Sequence, residues 1–473
     1  MVFRRRFLQS LAGVGSIPVA STLYDQHDGG DGGGTGDAAR GGQVTHGSAD
    51  LNASDTGDDA PKQPPSRKPD SRVHLMPAPE TATPTEQGSV ERWLYTSSLP
   101  GPTIRVREGD VVAVTVRNHL PQGTTVHWHG LPVANAMDGV PRVTQAPIGK
   151  GKTFTYKFRA EPAGTYLYHS HTSLQQDWGL SGALVVTKNP VSRADANDRV
   201  FVLDDYRDSK PSMGVADPSP PEYAGYLANG TLPSDYHTYD VPENEHVRLR
   251  FLNAGSATTF RVRVAGHTMA VTHADGRPVS PVEVDALDIA PGERYDADLH
   301  TTNPGSWFVE AAPLGDPDAT PARAAIRYHG EQQDAEPDSP SGSPSSVLAY
   351  GDLHATDRIG VAGRPDRTFD LDITESGRRW QVNGQSYPHA DPLAVTPGEH
   401  VRLSVTNETG VDHPMHLHGH FFRVGNAVKD TVRVPAGTTR TLDFAADNPG
   451  DWLFACQNPY HFQSGLGRVV RYA

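Results

Sequence analysis

From about residue 73 onward the chain is written in short runs where apolar and polar positions alternate, and no stretch sustains the apolar period of a long helix. Runs such as VVAVTV (Val111–Val116) and VRLRFL (Val247–Leu252) are closed by Gly, Pro or Asn, which predicts short β-strands joined by turns. The pattern also repeats. REGDVVAVTVRN (Arg107–Asn118), PENEHVRLRFLN (Pro242–Asn253) and TPGEHVRLSVTN (Thr396–Asn407) are versions of one turn-then-strand unit. A second unit follows each: GTYLYHSH (Gly164–His171), GSWFVEAA (Gly305–Ala312) and GDWLFACQ (Gly450–Gln457). An all-β chain of three consecutive sandwich-sized domains is expected, at residues 73–190, 191–345 and 346–473. The length of 473 residues agrees, since single cores stop growing near ~250–300 residues.

The first 72 residues do not share the pattern. Arg4, Arg5 and Arg6 precede Phe7-Leu8 and a short apolar run, the layout of a twin-arginine export signal over residues 1–24. That run is too short and too glycine-rich for a membrane span. Residues 25–72 are Gly, Asp, Pro and Ser with almost nothing apolar, which predicts a disordered tether outside the cell. The formal charge of −14 gives no electrostatic footprint for nucleic acid or an anionic membrane. No feature of the chain specifies an oligomeric state.

Histidine is where chemistry enters. On a strand, residues i and i+2 face the same way, so each His-x-His presents two imidazoles to one side. His127/His129, His169/His171 and His416/His418 are such pairs, in repeat-equivalent places of the first and third copies. The middle copy has Val262 where the first has His127, so it is expected to hold no ligand. Neutral imidazoles suit copper, zinc, iron or nickel. Cys456, the single cysteine, cannot form an intramolecular disulfide and must point opposite to Ala455 and Gln457, toward a second site. With His413 and His461 it makes the donor set of a trigonal blue-copper centre, and Leu466 falls where a weak axial ligand would sit.

At these residues the chain resembles a laccase-like multicopper oxidase built from three cupredoxin-like Greek-key β-sandwich domains. The resemblance runs from about Val90 to the C-terminus and rests on HWHGLPVANAMDGVPRVTQAPIGKGKTFTYKF, GTYLYHSH, GLSGALVV, DHPMHLHGHFFRV and the Cys456–His461–Leu466 spacing. It implies electron removal from a small reducing substrate at a type 1 copper and reduction of O2 to water at a trinuclear cluster between the first and third domains. It implies His413, Cys456 and His461 as type 1 ligands with Leu466 axial, His127 and His416 on type 2 copper, and His129, His169, His171 and His418 on the type 3 pair. Asp138 matches an acid that assists proton delivery to oxygen in relatives. A turn-forming Asp before Gly139 is the alternative reading.

The family surrounds its cysteine with two histidines, each a type 3 ligand and a covalent route for electrons. Here they are Ala455, which cannot coordinate, and Gln457, whose amide oxygen is a poor copper ligand. The acid that some bacterial relatives place after the last type 1 histidine is Phe462. Three readings compete: an oxidase with an impaired cluster, a type 1 copper protein without oxidase activity, and a scaffold descended from an oxidase. Six unclustered methionines argue against a methionine-rich cuprous-ion gate and leave phenols, aromatic amines or larger reductants as substrates.

Overall fold

The computed structural model describes residues 62–85, 88–191, 193–213, 219–331 and 336–473. The expected signal and the tether up to residue 61 lie outside them; residues 62–70 carry neither strand nor helix. The first strand is Ser71–Leu75.

Three β-sandwich units follow one another, and one sheet in each has the same order; the first unit adds a separate two-stranded sheet, Pro77–Thr85 with Gly88–Tyr95. In the first, Gly101–Arg107 pairs parallel with Ser181–Thr187, which runs antiparallel to Gly164–His169, which in turn pairs with His127–His129. In the third, Leu393–Val395, Gly467–Tyr472, Asp451–Cys456 and His413–Leu417 repeat that order, and Thr431–Val434 adds an edge. The middle unit repeats it with Thr238–Val241, Ala322–Tyr328, Ser306–Pro313 and Phe260–Val264.

Alternation explains how these strands are held. Along His400–Asn407, Leu403 and Val405 are fully buried, while Arg402, Ser404 and Thr406 between them are half-buried on the other face. Arg402 grips its cross-strand partner Asp443 with two hydrogen bonds of 2.8 and 3.0 Å. The middle and third units share one continuous apolar core, and the first has its own.

The asparagine that ends each first unit has a structural reason. Asn118, Asn253 and Asn407 are fully buried. Each donates through Nδ2 to two carbonyls, those of Gln122 and Ile148, Thr258 and Ile289, or Val411 and Val434. Each accepts a turn N–H at Oδ1, from Leu120, Gly255 or Thr409. A buried amide so fully satisfied locks the turn and the start of the next strand. That strand carries His127 in the first unit, Val262 in the middle and His416 in the third.

Candidate metal centres

Cys456 ends the strand Asp451–Cys456, which pairs with His413–Leu417 in the register Met415 opposite Cys456 and His416 opposite Ala455. Strand alternation sends the thiol to one face and its two neighbours to the other. Asn458 then caps the helix Pro459–Gln463: its side chain accepts from the N–H of Tyr460 and of His461, and Pro459 takes the first helical position. That turn brings His461 back over the thiol. The Cys456 Sγ lies 3.6 Å from His461 Nδ1 and 3.8 Å from His413 Nδ1, and the two nitrogens are 3.0 Å apart. Trp380 covers both rings, 4.7 Å centroid to centroid from each. Leu466 is fully buried in the same core, its carbonyl accepting the Cys456 N–H. Burial pushes the thiol well up and His413 down to about 3; burial and the adjacent His413 hold His461 well below its ordinary value. Two neutral imidazoles and a thiol whose proton only a cation would displace make a closed, soft donor set, and they fit copper.

The other face is a histidine cluster assembled by a pair of aspartates in equivalent places. His127 Nδ1 donates to the Asp138 carbonyl at 2.8 Å, and His416 Nδ1 donates to the Asp430 carbonyl at 2.9 Å. Each carboxylate also reaches the second histidine of the opposite unit: Asp138 Oδ2 is 3.0 Å from His418 Nδ1, and Asp430 Oδ1 is 3.3 Å from His129 Nε2. Carbonyls only accept, so the protons of His127 and His416 sit on Nδ1 and their Nε2 atoms are bare. Those bare atoms face each other at 3.4 Å, two lone pairs directed at one point. His129 Nε2 lies 2.8 Å from Thr431 Oγ1, and its Nδ1 is buried with no partner. Burial, then neighbouring imidazoles, hold His129, His169 and His418 well below the ordinary range and bring His171 down to about 3. Opposed lone pairs and an orphaned buried nitrogen are what a ring of neutral imidazoles shows where cations belong.

Profiles of the family described as multicopper oxidase match residues 78–191, 197–331 and 362–473. The chain belongs to the multicopper oxidase family. The multicopper oxidase MmcO of Mycobacterium tuberculosis is 34% identical over 423 residues, covering 80% of this chain and 82% of that protein. Laccase-1 of Botryotinia fuckeliana is 29% identical, covering 79% and 77%. The crystal structure of the laccase from Botrytis aclada superposes with a TM-score of 0.75 at 25% identity, over 88% of this chain and 89% of that one. Fet3p, a multicopper oxidase that functions in iron import, shares the fold with a TM-score of 0.75 at 22% identity, over 85% and 90%. The three units are therefore cupredoxin-like domains, and the protein is a copper-dependent, laccase-like oxidoreductase.

At the two positions where the family resemblance implies further imidazoles, this multicopper oxidase has Ala455 and Gln457. Ala455 packs with Val140, Leu453 and Phe462, and the Phe462 ring lies 5.1 Å from His171, edge to face. Gln457 Nε2 lies 3.2 Å from His169 Nε2 and 3.4 Å from Gln176 Oε1. His169 directs Nδ1 at the Ser170 carbonyl, 3.1 Å away, so its bare Nε2 receives the Gln457 amide proton and is capped. The cluster thus fits copper at His127, His129, His416 and His418, and fits it less well at His169 and His171. His171 alone of the six is not fully buried, and it edges a cleft of about 360 Å³ with Phe462, Tyr387 and Arg142.

All ten residues named as candidate ligands or axial neighbour fall in these two centres, with Asp138 between them and the turn at Gly139. Asp430, Thr431, Trp380 and Gln176 were not legible as site residues.

Proposed function

We propose that this oxidase takes electrons from phenols or aromatic amines at a site where His413, Cys456 and His461 would hold a type 1 copper and the Leu466 side chain closes it. O2 is the acceptor, at a cluster assigned to His127 and His416 (type 2) and His129, His169, His171 and His418 (type 3). Copper bound there would supply one-electron uptake at the cysteine site and four-electron reduction of O2 at the cluster. The carrying observation is the opposite facing of Cys456 and Gln457 on one strand, with the thiol beside the Nδ1 atoms of His413 and His461 and the amide against His169.

The chain's own residues do the rest. Trp380 and Leu466 keep water from the thiol, and because the leucine offers no donor atom, copper held there would have a high potential. Asp138 orients His418 through Oδ2 and lies 3.1 Å from His127 Nδ1 through Oδ1, and it is the carboxylate we assign to assisting proton delivery to O2. Gln457 and Phe462 limit the cluster, so reduction of O2 rather than uptake of electrons sets turnover. We assign the domains to residues 73–190, 191–345 and 346–473, with two strands overrunning these limits: Ser71–Leu75 belongs to the first domain, and Val347–Leu348 pairs with Ala286–Ile289 in the middle one. Export by the twin-arginine signal fits a folded, metal-loaded cargo, and no helix among the described residues is long and apolar enough to cross a membrane.

Stopped-flow mixing tests this reading. Copper-loaded protein mixed anaerobically with a phenol should lose a visible thiolate-to-copper band quickly and regain it slowly with O2. Absence of that band, or recovery as fast as bleaching, would overturn it.

A further inference from the structure

The middle domain carries no histidine in the cluster, yet two of its side chains reach the wall: Asp275 accepts the backbone N–H of Asp430 and of Thr431 at 3.3 and 3.2 Å, and Arg294 grips the Asp430 carboxylate. Arg294, at the start of the strand Arg294–His300, is fully buried and touches all three domains. Its Nε donates to the Thr165 carbonyl of the first domain at 3.1 Å, and Nη1 donates to the Gly292 carbonyl of its own at 3.0 Å. Nη1 and Nη2 together clasp Asp430 of the third domain, at 2.7 and 2.6 Å. A planar guanidinium makes this forked contact, and an ammonium cannot. The approach requires Gly130, directly after His129: its φ is +90°, and a Cβ there would lie 2.2 Å from Arg294 Nη2.

Asp430 passes this anchoring on. Its Oδ1 accepts from Thr431 Oγ1 at 2.8 Å and lies 3.3 Å from His129 Nε2 and 3.4 Å from His416 Nδ1. The matching carboxylate of the first domain, Asp138, has no arginine in contact among the described residues; its Oδ2 lies 3.0 Å from His418 Nδ1 and its Oδ1 3.1 Å from His127 Nδ1. Both aspartates are buried against histidines of the cluster, but of the two only Asp430 is clasped by an arginine among the described residues.

We propose that Arg294 is a positioning residue for the histidine cluster, fixing Asp430 and Thr431 so that His129 keeps its proton on Nε2 and turns a bare Nδ1 inward. The middle domain, without ligands of its own, thereby sets the tautomer of a ligand held by the first. That the bare nitrogen then receives copper rests on the function proposed above.

The test uses copper-free, full-length protein labelled with ¹⁵N-histidine, in which nitrogen shifts report which ring atom is protonated. A His129→Gln spectrum assigns the His129 signals. In the parent, His129 should show protonated Nε2 and bare Nδ1. In Arg294→Lys, which keeps the charge and so the fold but makes no forked contact, His129 should show both tautomers, while His413 and His461 stay unchanged. Arg294→Leu should do the same if it folds, and the lysine variant decides if it does not. A parent with His129 protonated on Nδ1, or a folded lysine variant with the parent's single tautomer, would overturn the inference. Titration with copper separates the two claims. Arg294→Lys should weaken cluster copper by roughly 10–100-fold, the usual cost of losing a ligand's outer partner, with the cysteine site unchanged. A parent that binds no copper at the cluster, yet shows the tautomer change, would leave Arg294's role standing and remove the proposed cluster.

Discussion

The Cys456 site and the histidine cluster lie back to back across one strand, and they differ in how their donors are supplied. The first draws His413, Cys456 and His461 from a single domain, within a turn and two paired strands. The second draws on two domains, with a third bracing it through Arg294. Because side chains alternate, positions 455 and 457 could change without disturbing the thiol between them. The difference teaches that a strand serving two sites can lose one donor set and keep the other, and that loss of a donor need not leave a hole. Here Phe462 packs on Ala455, and Gln457 bonds to His169.

The largest expected effect comes from the intact side. Cys456→Ser should abolish the visible band and phenol oxidation altogether, since a serine hydroxyl replaces the one soft donor. Optical spectra and dye-coupled turnover of the folded variant check this. Next is repair of the damaged side. Gln457→His should raise oxygen uptake and cluster copper more than Ala455→His does. The histidine at 455 must displace Phe462, overpacking that costs typically 1–3 kcal/mol. Adding Phe462→Leu to the double change should recover the remainder, about tenfold or more in oxygen uptake over the parent. Equal gains from the two single changes would show that Phe462 does not block its site.

Acid sharpens the comparison further. The folded-state values of His413, His171, His169, His129, His418 and His461 are depressed by burial, while in the unfolded chain each titrates near 6.5. Above pH 6.5 both states are neutral there, and no stability is lost. Below it the unfolded chain binds protons that the folded chain refuses, so stability falls as pH drops from about 6.5 toward 3. The slope is up to about 1.4 kcal/mol per pH unit for each such histidine. Denaturant midpoints of the copper-free protein should follow that course, and added copper should flatten it by holding the imidazoles neutral. The smallest effect is expected at Trp380. Its Nε1 is buried without a partner, so Trp380→Phe loses packing but no hydrogen bond and should cost about 1–2 kcal/mol at most. The visible band should stay, whereas Trp380→Ala should shift it by admitting water.

Much of this was legible in the sequence for physical reasons. The three buried asparagines make the same kind of bonds in every domain, two to backbone carbonyls and one from a turn N–H, and the repeat is legible at Asn118, Asn253 and Asn407. The His-x-His pairs are legible because a strand's period is two, and Cys456 is set apart from its neighbours by the same rule. What stayed hidden acts across sequence distance. Arg294 is 136 residues from the Asp430 it clasps, and Gln176 is 281 from Gln457. Phe462 read as a missing acid, and only packing shows that it occupies the space beside Ala455. A residue whose role is to fill or brace carries no motif of its own.

The central claim, an intact cysteine site beside a cluster short of two imidazoles, is tested most directly by counting copper. Parent protein loaded with excess copper and desalted should be measured for metal per chain, with optical and electron paramagnetic resonance spectra on the same sample. The account predicts a full equivalent of type 1 copper, a type 2 signal, and a type 3 pair filled well below stoichiometry. A full type 3 pair in the parent, with oxygen uptake equal to that of the Ala455→His, Gln457→His, Phe462→Leu protein, would contradict it.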